Sequence, residues 1–178
     1  MTTPTASPTS LRILSIAILG KHGNPLLLRS YSPPSDHAAF QHRHRPQHHD
    51  LKWQYAAHTS LDFFEERESP AAKTVDCYLG LLYTMEDYAV YGYQTNTRVK
   101  FVLILAMADA VVRDIDVKTI FRAIHNTYIA YLSNPFNPCE TENFDQLAPP
   151  IQSRKFKTTI DLIAGQGQEH AESEAAAR

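Results

Sequence analysis

The sequence predicts an α/β domain of the α+β kind. Its sheet is five-stranded and antiparallel or mixed, in the order β-β-α-β-β-β-α-α, with helices on both faces. Three observations predict it. Apolar runs rich in β-branched and aromatic residues occur as a pair near the start and as a triplet at 77–107. The turns inside the triplet are only a few residues long, so its strands are antiparallel neighbours; a parallel crossover needs about a dozen residues or more. Stretches with helical apolar spacing lie between the pair and the triplet, and again after the triplet.

Each element follows from its residues. LRILSIAILG at 11–20 reads as a buried strand. KHGNP at 21–25 is a turn, because Gly23 and Asn24 tolerate positive φ and Pro25 is poor in a central strand. A second strand at 26–31 completes a hairpin. In LKWQYAAHTSLDFFEERE at 51–68, Trp53, Ala57, Leu61 and Phe64 share one helical face, and Asp50 can cap the helix. CYLGLLY at 77–83, YAVYGYQT at 88–95 and KFVLILAM at 100–107 form a meander, with a bend allowed at Gly92. The first strand is expected to be the central one, with the third beside it. Val117, Ile120, Phe121, Ile124, Tyr128, Tyr131 and Leu132 make a second helical stripe, which Asp114 or Asp116 can cap. Phe156, Ile160 and Ile163 make a third, with Gly165 as its end signal. The 51–68 helix is expected on one face of the sheet and the two later helices on the other.

The organisation is a single domain at 11–165, preceded by a Thr/Ser/Pro-rich arm at 1–10 read as disordered. A His/Pro-rich insertion at 32–50 and a proline-rich loop at 137–150 interrupt the domain, and a flexible tail at 166–178 follows it. A chain of 178 residues with 43% apolar residues can build a core without disulfides. Its net charge of −2 argues against a nucleic-acid binder driven by bulk charge. Two cysteines, Cys77 and Cys139, make no disulfide framework. The first ten residues lack the pattern of a secretory signal, and the longest apolar run, at 101–108, is short of the ~20 residues that span a bilayer. Any membrane contact is expected to come through a partner.

Little chemistry is available. No phosphate-binding loop, dinucleotide fingerprint, nucleophile elbow, HExxH or CxxC is present. His42, His44, His48 and His49 can collect a divalent ion, but the tract has no cysteine and its carboxylates are Asp36 and Asp50. A mobile insertion is the simpler reading, and neither a metal nor another cofactor is expected. An enzyme would have to be assembled from His58, His125, Cys77 or Asp62. Asp62 can also receive backbone N–H groups and brace a loop. Asp62, Glu65, Glu66 and Glu68 form an acidic helix end, which is either a solvated face or a protein contact. Nine tyrosines are present, and Tyr83, Tyr91 and Tyr93 suit an interface, although strands also favour tyrosine for its packing. His125 and Asn126, followed by Asn134-Pro135-Phe136, offer a second contact.

Four segments carry a resemblance: HTSLDFFEE at 58–66, YLGLLYTMEDYAVYGYQTNTRVKFVLIL at 78–105, IFRAIHNTYIAYLSNPF at 120–136 and IQSRKF at 151–156. In combination they resemble the sedlin-like small subunits of the TRAPP vesicle-tethering complex, over most of 11–164. The resemblance implies a longin-like fold and a non-enzymatic adaptor without cofactors. It implies TRAPP core subunits and a large accessory subunit as partners, a Rab-type GTPase as an indirect one, and a cytoplasmic place at ER–Golgi or Golgi membranes through the complex. The family's LDxxxE-type helix segment corresponds to Leu61, Asp62 and Glu66. The chain departs from the family in its arm, its long 32–50 and 137–150 segments, and Thr84-Met85 where many relatives carry proline. The candidate interface residues are Asp62, Glu66, Tyr83, Tyr91, Tyr93, His125, Asn126 and Phe136. The alternative is a stand-alone longin-type module that accepts a SNARE or small GTPase between helix 51–68 and a sheet edge.

Overall fold

An alternating apolar strand with both sets of side chains buried must lie between two layers. β5, Lys100–Ala106, is such a strand. Phe101, Leu103 and Leu105 point into one core and Val102 and Ile104 into the other. The computed structural model describes residues 11–31, 47–68, 76–107, 112–136 and 149–175. Within them β5 is the centre of a five-stranded sheet.

The hairpin strands are β1, Ile13–Leu19, and β2, Pro25–Ser30. Helix α1, Gln47–Glu68, follows, then β3, Tyr78–Thr84, and β4, Tyr88–Gln94. After β5 come α2, Asp114–Leu132, and α3, Arg154–Ala175. The sheet order is β2-β1-β5-β4-β3, and every pairing is antiparallel. This is the longin-like arrangement expected from the resemblance. The mixed-sheet option falls away.

β1 is internal but not central as expected: β5 takes the centre, and β1's second neighbour is β5, not β3. The path explains the difference. The chain passes along α1 to the far edge, enters as β3, and the two tight turns of the meander bring it back so that β5 arrives beside β1. Pro25 opens β2, an edge strand, where its missing N–H costs no ladder bond.

The layers are as predicted. α1 supplies Trp53, Ala56, Ala57 and Phe64 to one core, against Leu14, Ala17, Val90, Val102 and Ile104. Helices α2 and α3 supply Val117, Phe121, Ile124, Phe156 and Ile160 to the other, against Ile16, Ile18, Phe101 and Leu103. Leu132 leaves the expected α2 stripe and stands 59% exposed, because it sits at the helix end beyond the sheet-facing turns.

Several expected termini differ. α1 begins at Gln47, so Asp50 lies inside its first turn and is not its cap, and the insertion donates that turn. α2 is preceded by Arg113 and has no side-chain cap. Its two aspartates lie in the first turn, where they favour the helix dipole; Asp116 binds the Arg113 guanidinium, with Arg113 Nε 2.8 Å from Asp116 Oδ2. Gly165 does not end α3, which continues to Ala175 through a stretch rich in Gln, Glu and Ala, all good helix formers. The 1–10 arm, residues 32–46, the segment 137–148 with Cys139, and the last three tail positions lie outside the described residues.

The bend that the sequence allows at Gly92 is absent. β4 pairs with β5 in unbroken register, and the irregularities fall in β3, beside Gly80 and before Tyr83. Gly80 has φ of +77°, a left-handed conformation that side-chain-bearing residues rarely adopt. Gly92 instead makes room: a Cβ there would stand 2.8 Å from the Leu82 side chain.

Phe121 is fully buried and stacks on Tyr93, with ring centroids 5.5 Å apart. Phe121→Ala is expected to cost about 3–5 kcal/mol, read as a loss of denaturant midpoint with little change in m-value.

Candidate protein interface

α1 is held asymmetrically, and the asymmetry defines its free surface. On the β3 side it is pinned. The Tyr83 hydroxyl donates to the Ala56 carbonyl at 2.8 Å, and the Tyr83 ring stacks on Phe63 with centroids 5.0 Å apart. Burial raises the Tyr83 pKa, so the hydroxyl stays a neutral donor. In the last turn of α1, the Arg67 guanidinium donates to the carbonyls of Leu79 and Leu81, the latter at 2.9 Å. Those carbonyls belong to an edge strand, whose unpaired groups would otherwise template a further strand.

On the β2 side α1 is open. A groove of about 210 Å³ runs between helix and hairpin, with Leu19, Pro25, Leu28, Gln54, Ala57 and His58 among its lining. Facing outward beside it is a stripe at helical spacing: Leu51, Tyr55, His58, Asp62 and Glu65, all exposed. Tyr55 is 70% exposed. The stripe is apolar toward the start of α1 and acidic toward its end. Asp62 and Glu66 are both exposed, as a contact surface requires. Asp62 accepts no hydrogen bond among the described residues, so it braces no described loop.

The other candidates separate. Tyr91 is 8% exposed and faces the α2–α3 core. Tyr93 is half-buried, and its hydroxyl lies 3.1 Å from His125 Nδ1. Burial lowers the His125 pKa, which favours the neutral ring. Tyr83, Tyr91 and Tyr93 therefore serve mainly as internal packing and struts. Asn126 is exposed on α2, and Phe136 is 91% exposed just beyond it. These two lie across the sheet from Asp62, so the eight candidates do not form one patch.

Arg29, Tyr31 and Asp161 form a cluster that sequence reasoning missed. Arg29 Nε donates to Asp161 Oδ1 at 2.9 Å, Arg29 Nη2 donates to Oδ2, and the Tyr31 hydroxyl donates to Oδ1 at 2.9 Å. The cluster ties β2 to α3 across 132 positions of sequence, beyond the reach of any local pattern.

None of His58, Asp62, Cys77 and His125 lies within hydrogen-bond reach of another among the described residues. No group of metal-ligating side chains occurs among those residues either. The geometry is that of a sheet covered on both faces, with helix surfaces presented outward. The sedlin family pattern matches residues 18–166. A protein named trafficking protein particle complex subunit 2-like from Xenopus tropicalis is 38% identical over 150 residues, covering 82% of this chain and 91% of that protein. The mouse protein of the same name is 37% identical over 150 residues, with the same coverage. That of Dictyostelium discoideum is 36% identical over 146 residues, again 82% and 91%. The chain belongs to the sedlin family, whose members are non-enzymatic adaptors.

Two variants test this geometry. Tyr83→Phe should lose about 1 kcal/mol, read by chemical denaturation, because the Ala56 carbonyl loses its donor. Asp161 is subject to opposing influences: burial alone would raise its pKa, but hydrogen bonds from Arg29 and Tyr31 outweigh it and hold the carboxyl below 3.8. A depressed carboxylate contributes stability above its unfolded pKa and loses it as pH falls through the folded value. Wild type should therefore lose more stability than Asp161→Asn as the pH drops below about 4, in acid melts taken well under the His125 range.

Proposed function

We propose that this chain is an adaptor and assembly subunit of a TRAPP-type tethering complex in ER–Golgi or Golgi vesicle transport. It acts by surface complementarity, joining core subunits of that complex to a large accessory subunit. The nucleotide exchange on a Rab-type GTPase belongs to the assembled complex. The names of the relatives support this reading, since each describes a subunit of a trafficking particle. The observation that carries it is the free outward stripe of α1, bracketed by a closed β3 side and an open β2 side. Asp62 lies at the acidic end of that stripe, and Glu66, one turn further along α1, is exposed beside it. Among the described residues no helix is long and apolar enough to cross a membrane, which accords with recruitment to Golgi or ER–Golgi membranes through partners.

A second reading rests on the groove beside β2, which suits an apolar segment of a SNARE or a small GTPase outside any complex. Calorimetric titration with candidate segments separates the two; silence at high micromolar peptide removes this second reading.

Asp62→Arg is expected to weaken capture of the purified trafficking-complex subunits at least tenfold while shifting the melting temperature by no more than about 2 °C. A large melting loss with unchanged binding by the folded fraction would instead make Asp62 a structural residue.

A further inference from the structure

The two edges of the sheet are finished differently. On the β3 edge the Arg67 guanidinium takes the carbonyls of Leu79 and Leu81. On the β2 edge the register decides which backbone groups face away from β1. The Tyr31 amide donates to the Leu14 carbonyl at 2.8 Å, and the ladder pairs Ile16 with Arg29 and Ile18 with Leu27. Backbone groups of an antiparallel strand alternate between its two sides, so the N–H and C=O of Leu28 and of Ser30 point outward. The Leu26 carbonyl is taken: it accepts the Ile151 amide at 2.8 Å. Among the described residues nothing bonds the outward groups of Leu28 and Ser30.

The two sides of this edge differ in character. Leu28 turns toward α1 and lines the groove with Leu19, Pro25 and Ala57. Arg29 turns the other way, toward α3, where Asp161 holds its guanidinium. Arg154 and Lys157 recur at helical spacing with Asp161, so they stand on the same face of α3, two turns and one turn nearer its start. Neither joins an ion pair among the described residues. Asp161 itself is committed to Arg29 and Tyr31. The edge is therefore apolar on its α1 side and cationic on its α3 side.

We propose that the β2 edge takes an extended segment of a partner protein as a further antiparallel strand, in which apolar and acidic side chains alternate. Its backbone completes the ladder at Leu28 and Ser30. Side chains alternate between the faces of a sheet. Residues opposite Leu28 and Ser30 thus present apolar groups to the groove beside α1, and the residue opposite Arg29 presents a carboxylate to Lys157 and Arg154. The antiparallel sense follows the existing sheet, whose pairings are all antiparallel. A second copy of this chain fits poorly. Pairing two β2 edges at Leu28 and Ser30 sets Arg29 opposite Arg29 and gathers the α3 cations of both copies along one seam, where like charges repel. The proposal shares the α1 groove with the second reading above and assumes neither of the partners named there.

Fluorescence anisotropy on the whole chain tests it, with a fluorescein-labelled nine-residue peptide of alternating Val and Glu. Saturable binding is expected. In an antiparallel strand the residues opposite Leu28 and Ser30 are the ones whose N–H and C=O meet them. N-methylation of the valines should therefore weaken binding at least tenfold, and N-methylation of the glutamates should leave it within twofold. Ser30→Pro removes an outward N–H that β1 does not use, so it should melt like wild type and weaken binding at least tenfold. Lys157→Glu should weaken it, and the same peptide with Lys in place of Glu should not bind. Absence of saturable binding, or binding indifferent to which amides are methylated, overturns the proposal. Binding seen only when residues 34–45 are replaced by a Gly-Ser run of equal length would assign the edge to that segment. A dimer in sedimentation that Ser30→Pro abolishes would assign it to a second copy. Either result overturns the proposal as well. No complex subunit enters these measurements, so their failure is separate from a failure of the Asp62→Arg capture assay.

Discussion

The architecture depends on the double burial of β5. A strand with apolar side chains on both faces can be removed from water only if something covers each face. That requirement puts α1 on one side and α2 with α3 on the other. It also sets the division of labour among surfaces. The faces of the sheet are consumed as scaffold, so what remains for other molecules is the outward side of the helices, the clefts at their margins and the open β2 edge. The same constraint explains why most of the aromatic side chains turn inward. Phe101 and Tyr93 from the sheet and Phe121 and His125 from α2 form a contiguous cluster at the junction of the two layers.

Much of this was readable in the residues. The continuous apolar run KFVLILAM, short and bounded by turn residues, signals a strand buried on both faces, and the helical spacing from Val117 to Tyr128 is a clear period signal. The four segments that resemble sedlin-like proteins lie almost wholly in these regular elements, so family, fold and adaptor character were legible together. Less legible was the neighbour of β1. Strand adjacency depends on the path that α1 takes over the sheet, and no residue pattern encodes it. Gly92 illustrates a subtler miss. A glycine in a strand suggests a bend, yet here the missing side chain matters because Leu82 presses against it, while the unusual backbone sits across the ladder at Gly80.

The site was harder to read than the fold for a related reason. A tyrosine in a strand is equally good inside or outside, so Tyr83, Tyr91 and Tyr93 carried no information about exposure. Asp62 and Glu66 could be placed outward because helical spacing sets them against Trp53 and Phe64. Arg67 looks like an ordinary surface cation in sequence. Its role comes from what lies across from it, the carbonyls of a strand edge.

Arg67 has a consequence for larger architectures. Its guanidinium occupies the carbonyls of Leu79 and Leu81 on the β3 edge. A strand added there must first displace that arginine, so edge-to-edge pairing on this flank competes with the contact that fastens the end of α1.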